Sequence, residues 1–141
     1  MTHECCSVVV GADVQSTAEV AESLRAYGAR YTRKVFTEHE IKTAGSTIPV
    51  AAERLAVRFA AKEAVLKLLR PTTIVPHWRS IEVRRQQGGW PEIILTGDAA
   101  ELARQRQIHH ISVSMSHGGG VGFATVVAQA GNIHEGGQAS D

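Results

Sequence analysis

Residues 58–67 read RFAAKEAVLK, and this run constrains the fold more than any other part of the chain. It belongs to a longer stretch, 49–70, that is apolar around nearly the whole circumference of a helix and is bracketed by Pro49 and Pro71. Proline suits a first helical turn, where its missing N–H would be unpaired anyway, and the residue before a proline avoids the α region. A helix apolar almost all round belongs in a core. Within 58–67 alone, four charges nevertheless sit in it: Arg58, Lys62, Glu63 and Lys67. Glu63 and Lys67 are four residues apart and share a face, as do Arg58 and Lys62.

Buried charge is costly unless it is paired or bound to metal. Two readings follow. In one, the charges form the solvated edge of an amphipathic helix, since Glu–Lys pairs at this spacing are ordinary helix stabilisers. In the other they form a ligand site: the carboxylate takes a divalent cation and the cations take anionic oxygens. A lone acid near the N-terminus, Asp13, supplies a second carboxylate for that cation and favours the second reading.

A chain of 141 residues makes one domain and buries about 68% of its unfolded surface. Fifteen Lys and Arg against fourteen Asp and Glu leave a net charge of +1, so there is no bulk attraction for nucleic acid or for an anionic membrane. An anionic partner must be held by a local cluster. The N-terminal segment lacks the basic region and long apolar run of a secretory signal, and no run approaches the length of a membrane helix. Cys5 and Cys6 are adjacent, which is neither redox nor zinc spacing, and both are expected to be reduced thiols. A cytoplasmic protein is the expectation. The seven histidines are scattered, which argues against a structural zinc site.

Along the chain, 6–14 reads as a buried strand, with Gly11 allowing close backbone approach and Asp13 near its end. Ser16 or Thr17 caps a helix over 18–27, and Thr37 with Glu40 fits a capping box. The long helix 49–70 follows. Segments 79–85 and 91–95 make one hairpin, and 111–115 and 121–128 make a second around His117 and a glycine run. A short helix separates the hairpins. Residues 130–141 are rich in Gly, Ser and acids and are expected to form a disordered tail beyond a domain of 1–129. Strand contacts drawn mostly from hairpins predict an α+β fold: a small domain with a long core helix packed on antiparallel strands. The G-A-D after the first strand is not the dinucleotide fingerprint.

G-A-D near the N-terminus, RFAAKEAVLK in mid-chain, the WRSIEVRRQQGGWPEIILTG hairpin and the late ISVSMSH together resemble the holo-acyl-carrier-protein synthases, the small 4′-phosphopantetheinyl transferases. Order and spacing match over about 8–128. The resemblance implies a Mg2+-dependent transfer of 4′-phosphopantetheine from coenzyme A to a serine of an acyl carrier protein, with release of adenosine 3′,5′-bisphosphate. Carried over residue by residue, it implies that Asp13 and Glu63 are metal ligands. Lys67 then faces the phosphates, Arg58 sits at the phosphate end of the site, and His117 is the histidine of the S-x-S-H motif. Lys62 is placed with the coenzyme-binding cations, and Glu63 and Lys67 with the catalytic groups. Glu63 or a water on the metal would serve as base. A homotrimer with sites between subunits is implied by the resemblance as well. The other reading is a coenzyme A- or carrier-binding paralogue of the same fold without activity.

The chain departs from the family in two places. The first helix carries Glu19 and Glu22 where relatives place a basic contact for the acidic carrier, so Arg25, Arg30, Arg33 and Lys34 are the candidate docking cations instead. After the long helix the loop reads RPTTIVPHW in place of a glycine-containing one.

Overall fold

The protein is described here by a computed structural model covering residues 7–86 and 88–131. Cys5, Cys6 and residues 132–141 of the expected tail lie outside the described residues. Strand β1 (Ser7–Ser16) leads into helices α1 (Thr17–Tyr27), α2 (Ala29–Val35), α3 (Glu38–Thr43) and the long α4 (Ile48–Leu69). A 3-10 turn at Trp78–Ser80 precedes hairpin β2 (Ile81–Arg85) and β3 (Pro91–Leu95). Helix α5 (Gly97–Gln105) and hairpin β4 (Ile108–Gly118) and β5 (Val121–Ala130) complete the chain. The fold is α+β, as the sequence predicts.

Two sheets result: β1-β5-β4, wholly antiparallel, and the separate hairpin β2-β3. The pairing of β1 with β5 runs from Ser7↔Ala130 to Ser16↔Val121 and closes the chain's two ends together. No local signal announces this long-range pair. Strand β5 runs two residues past the expected end at Ala128.

Helix α4 crosses the inner face of the three-stranded sheet. Alternation turns Val9, Gly11 and Asp13 of β1, and Gly122, Ala124, Val126 and Ala128 of β5, toward it. Two glycines set the depth of that contact. A Cβ on Gly11 would lie 2.0 Å from the Ala64 carbonyl oxygen, and one on Gly122 would lie 2.7 Å from the Val57 nitrogen. The helix therefore lies on bare backbone, which brings side chains flanking the contact within reach of β1. Leu55, Ala60, Ala61, Val65, Leu68 and Leu69 of α4 are buried on its remaining sides against α1, β2 and α5. Arg70 ends the helix in the left-handed region (φ 49°) ahead of Pro71.

The helix starts and stops follow local chemistry. Ser16 Oγ accepts from Glu19 N at the start of α1, and Thr37 and Glu40 make the reciprocal capping box of α3. On the outer face of the large sheet, β1 and β5 carry an apolar strip that the described residues leave uncovered: Val8, Val10 and Val14 of β1 lie beside Val121, Phe123 and Val127 of β5, with Val8 67% exposed, while β4 exposes Ser112, Ser114 and Ser116.

Candidate active site

Asp13, on the inward face of β1, meets α4 where the Gly11 contact has drawn the two elements together. Lys67 Nζ lies 3.0 Å from Asp13 Oδ1 and also donates to the Ala12 carbonyl at 2.9 Å. Gln15 Nε2 donates to the other carboxylate oxygen, Asp13 Oδ2, at 2.7 Å. Glu63, one turn before Lys67, is partly buried beside them. Burial pushes its carboxyl above the usual range, the charge of Asp13 pushes it further, and Lys67 opposes both. The expected trio of Asp13, Glu63 and Lys67 is thus one cluster.

Two carboxylates that repel each other, one held by a lysine, are a fitting seat for a hard divalent cation. Among the described residues no group of three or more His, Cys, Asp or Glu side chains could hold a metal.

Arg58 lies elsewhere on α4. Five residues separate it from Glu63, a net rotation of about 140° at 3.6 residues per turn. It lines a cleft of about 720 Å³ together with His39 and Thr43 of α3, Glu53 and Arg54 of α4, Arg85 of β2 and His117 of β4. Arg58 Nη2 donates to Thr43 Oγ1 at 3.2 Å, while Nη1 is buried with no hydrogen-bond partner. Burial and the neighbouring Arg85 and Arg54 lower the guanidinium's pKa, against the pull of Glu40. Three arginines around one cleft describe a seat for an anion. His117 Nδ1 meets Glu53 Oε1 at 2.5 Å on the rim.

Lys62 does not join either cluster, and its placement with the coenzyme-binding cations is corrected. Its side chain is fully buried against Glu40, with Nζ 2.7 Å from Oε1. The remaining ammonium protons go to the carbonyls of Trp78 and Ile81. Nothing is left to offer a phosphate. Sequence reasoning also missed Arg54, Arg85 and Glu53. Arg54 stands in the same i,i+4 row as Arg58 and Lys62, a signal that was available; Arg85 comes from another element and gave none.

Of the proposed docking cations, Arg30, Arg33 and Lys34 are exposed on one face of α2, with Arg25 exposed in the last turn of α1. Glu19 and Glu22 are exposed on α1. Among the described residues, no helix is long and apolar enough to cross a membrane.

The chain's sequence and its α+β frame have counterparts among known proteins. Residues 9–126 match the model of the 4′-phosphopantetheinyl transferase superfamily. The holo-[acyl-carrier-protein] synthase of Moorella thermoacetica is 34% identical over 126 residues, covering 89% of this chain and 97% of that protein. The one from Mycobacterium sp. (strain KMS) is 36% identical over 129 residues, covering 86% and 96%. Among solved structures, an ACPS–CoA complex from Chronobacterium ammoniagenes superimposes with a TM-score of 0.75 at 27% identity, covering 88% of this chain and 98% of that one. The chain belongs to the 4′-phosphopantetheinyl transferase superfamily, in its holo-acyl-carrier-protein synthase family.

Proposed function

We propose that the protein transfers 4′-phosphopantetheine from coenzyme A to a serine of an apo acyl carrier protein and releases adenosine 3′,5′-bisphosphate. The observation that carries this reading is the meeting of Asp13, Glu63 and Lys67, drawn from elements about fifty residues apart and held 3.0 Å from one another at the Asp13–Lys67 contact.

The serine oxygen attacks the phosphorus bearing the phosphopantetheine arm, and the bond from that phosphorus to the oxygen bridging to the nucleotide phosphate breaks. Positioning and charge neutralisation do most of the work in such transfers. Asp13 and Glu63 would hold Mg2+, which when bound neutralises the pyrophosphate and the charge building on the leaving group. Lys67 Nζ, exposed beyond its contact with Asp13, is placed to donate to a phosphate oxygen. Glu63, at a carboxylate oxygen, or a water beside it would accept the serine proton. Arg54, Arg58 and Arg85 would bind the nucleotide's phosphates, with His117 at the rim.

Glu63 and Arg58 point about 140° apart around α4, which favours their serving different ligand molecules within one chain. The uncovered valine face of the sheet is the kind of surface that meets further copies. Both observations favour an assembly, here a homotrimer, in which the carboxylates of one subunit and the arginine cleft of the next share one coenzyme A. The acidic carrier would dock on the cations of α2, and a cytoplasmic setting fits such substrates. Incubation with coenzyme A, Mg2+ and an apo carrier protein, followed by mass spectrometry of the carrier, tests the reading: a gain of one phosphopantetheine is expected, and an unchanged carrier mass overturns it.

A further inference from the structure

Among the described residues, a buried and fully bonded ion pair lies outside both clusters. Glu40 and Lys62 are both fully buried. Glu40 Oε1 accepts from Lys62 Nζ at 2.7 Å and from Thr37 N at 2.9 Å, while Oε2 accepts from Val83 N at 2.9 Å. Lys62 Nζ also donates to the Trp78 carbonyl at 3.1 Å and to that of Ile81, and it lies 5.7 Å from the centre of the Phe36 ring. The ammonium has three donors and three acceptors around it.

Stability alone does not account for the pair, because well-packed apolar side chains of similar volume often serve as well or better than a buried ion pair. What the pair joins is more telling. Its bonds tie α3, through Thr37 and Glu40 itself, to α4 through Lys62 and to β2 through Val83. The same three elements wall the arginine cleft. His39 is the residue before Glu40, Thr43 lies one turn after His39, Arg58 lies one turn before Lys62, and Arg85 is two after Val83 on the same strand face. Two contacts cross the α3–α4 seam inside the cleft: Arg58 Nη2 to Thr43 Oγ1 at 3.2 Å, and Arg54 Nη1 to the Thr43 carbonyl at 3.4 Å. Both depend on the relative height of the two helices.

We infer that the buried Glu40–Lys62 pair is a positioning device for the coenzyme-binding cleft, fixing α3 and β2 against α4 so that the Arg58 guanidinium keeps its place in the cleft wall. Neither residue touches the ligand. The identity of that ligand rests on the function proposed above; the mechanical role does not.

The test is a pair of variants. The double replacement Glu40→Met/Lys62→Met removes both charges together and roughly conserves volume, so it leaves no orphan ion. It is expected to melt within about 5 °C of the native protein. Its Kd for coenzyme A by calorimetry, and its KM for coenzyme A, are expected to rise about tenfold or more, while kcat and the KM for carrier protein stay within about threefold. Recovery of both the melting temperature and the native coenzyme A affinity would make the pair structural only and overturn the inference. Should the double variant not fold, Glu40→Gln carries the test below its melting temperature. Its shape is conserved, but the amide must turn an N–H toward either Val83 N–H or the Lys62 ammonium. The same rise in KM for coenzyme A is expected, and a native KM overturns the inference. If the native protein neither binds nor uses coenzyme A, it is the proposed function that fails. A crystal structure of the double variant then decides the positioning role: loss of the Arg58–Thr43 contact supports it, and its retention overturns it.

Discussion

Gly11 and Ala64 touch backbone to backbone: a methyl group on Gly11 would fall 2.0 Å from the Ala64 carbonyl oxygen. Two residues further along β1, Asp13 meets Lys67 because of that closeness. Gly11→Ala must push β1 off α4, and overpacking against backbone costs about 3 kcal/mol. Urea unfolding is expected to show that loss. A variant within about 0.5 kcal/mol of the native protein would mean the contact is looser than described.

Removal of either carboxylate separates the metal role from folding. Asp13→Ala and Glu63→Ala should retain the native melting temperature without metal, lose the rise in melting temperature that Mg2+ gives the native protein, and transfer at least about 100-fold more slowly. Native turnover of Asp13→Ala at saturating Mg2+ would contradict the assignment. The pH dependence has a definite sign. Burial and Asp13 raise the Glu63 carboxyl pKa, so on acidification Glu63 takes up its proton earlier than an ordinary glutamate. The protonated form is a poorer ligand, and apparent Mg2+ affinity should fall with falling pH before exposed carboxylates titrate. An affinity flat until the ordinary carboxylate range would speak against it.

If the carboxylates and the arginine cleft meet only between subunits, two dead proteins can repair each other. Asp13→Ala and Arg58→Ala variants, each inactive alone, are expected to regain partial transfer when unfolded together and refolded as a mixture. Some interfaces then combine an intact carboxylate pair with an intact cleft. Mixed samples with no more activity than the two separate variants would place the whole site in one chain, as would a fully active monomer by light scattering.

The exposed cations of α2 give a further expectation. Arg30→Glu/Arg33→Glu should raise the KM for an acidic carrier protein several-fold, leave that for coenzyme A near native and flatten the salt dependence of the carrier term. Exposed charges steer association and are screened over about 10 Å at 0.1 M salt. An unaltered carrier KM and salt slope would move docking to another surface.

Much of the Asp13–Glu63–Lys67 cluster was legible because its residues declare themselves locally. Glu63 and Lys67 share a helix face by spacing alone, and Gly11 and Asp13 alternate onto one face of a strand. Lys62 misled for an equally local reason: in sequence it is a cation on the same helical row as Arg58. Only the fold brings Glu40 to it, and Glu40 reads in sequence as nothing more than the partner of Thr37 in a capping box. The β1–β5 pairing and the arrival of Arg85 at the cleft were illegible because each depends on contacts between distant segments, which no periodicity encodes.

The outward row of Val8, Val10 and Val14 lies on β1, a strand at the edge of its sheet. An apolar edge strand is also a template on which other chains can add strands indefinitely. Under the proposed assembly, a newly made copy is in a race between closing onto its neighbours and being drawn into insoluble aggregates. Charge placed on that row, as edge strands commonly carry, would hold the chain monomeric and blunt the hazard.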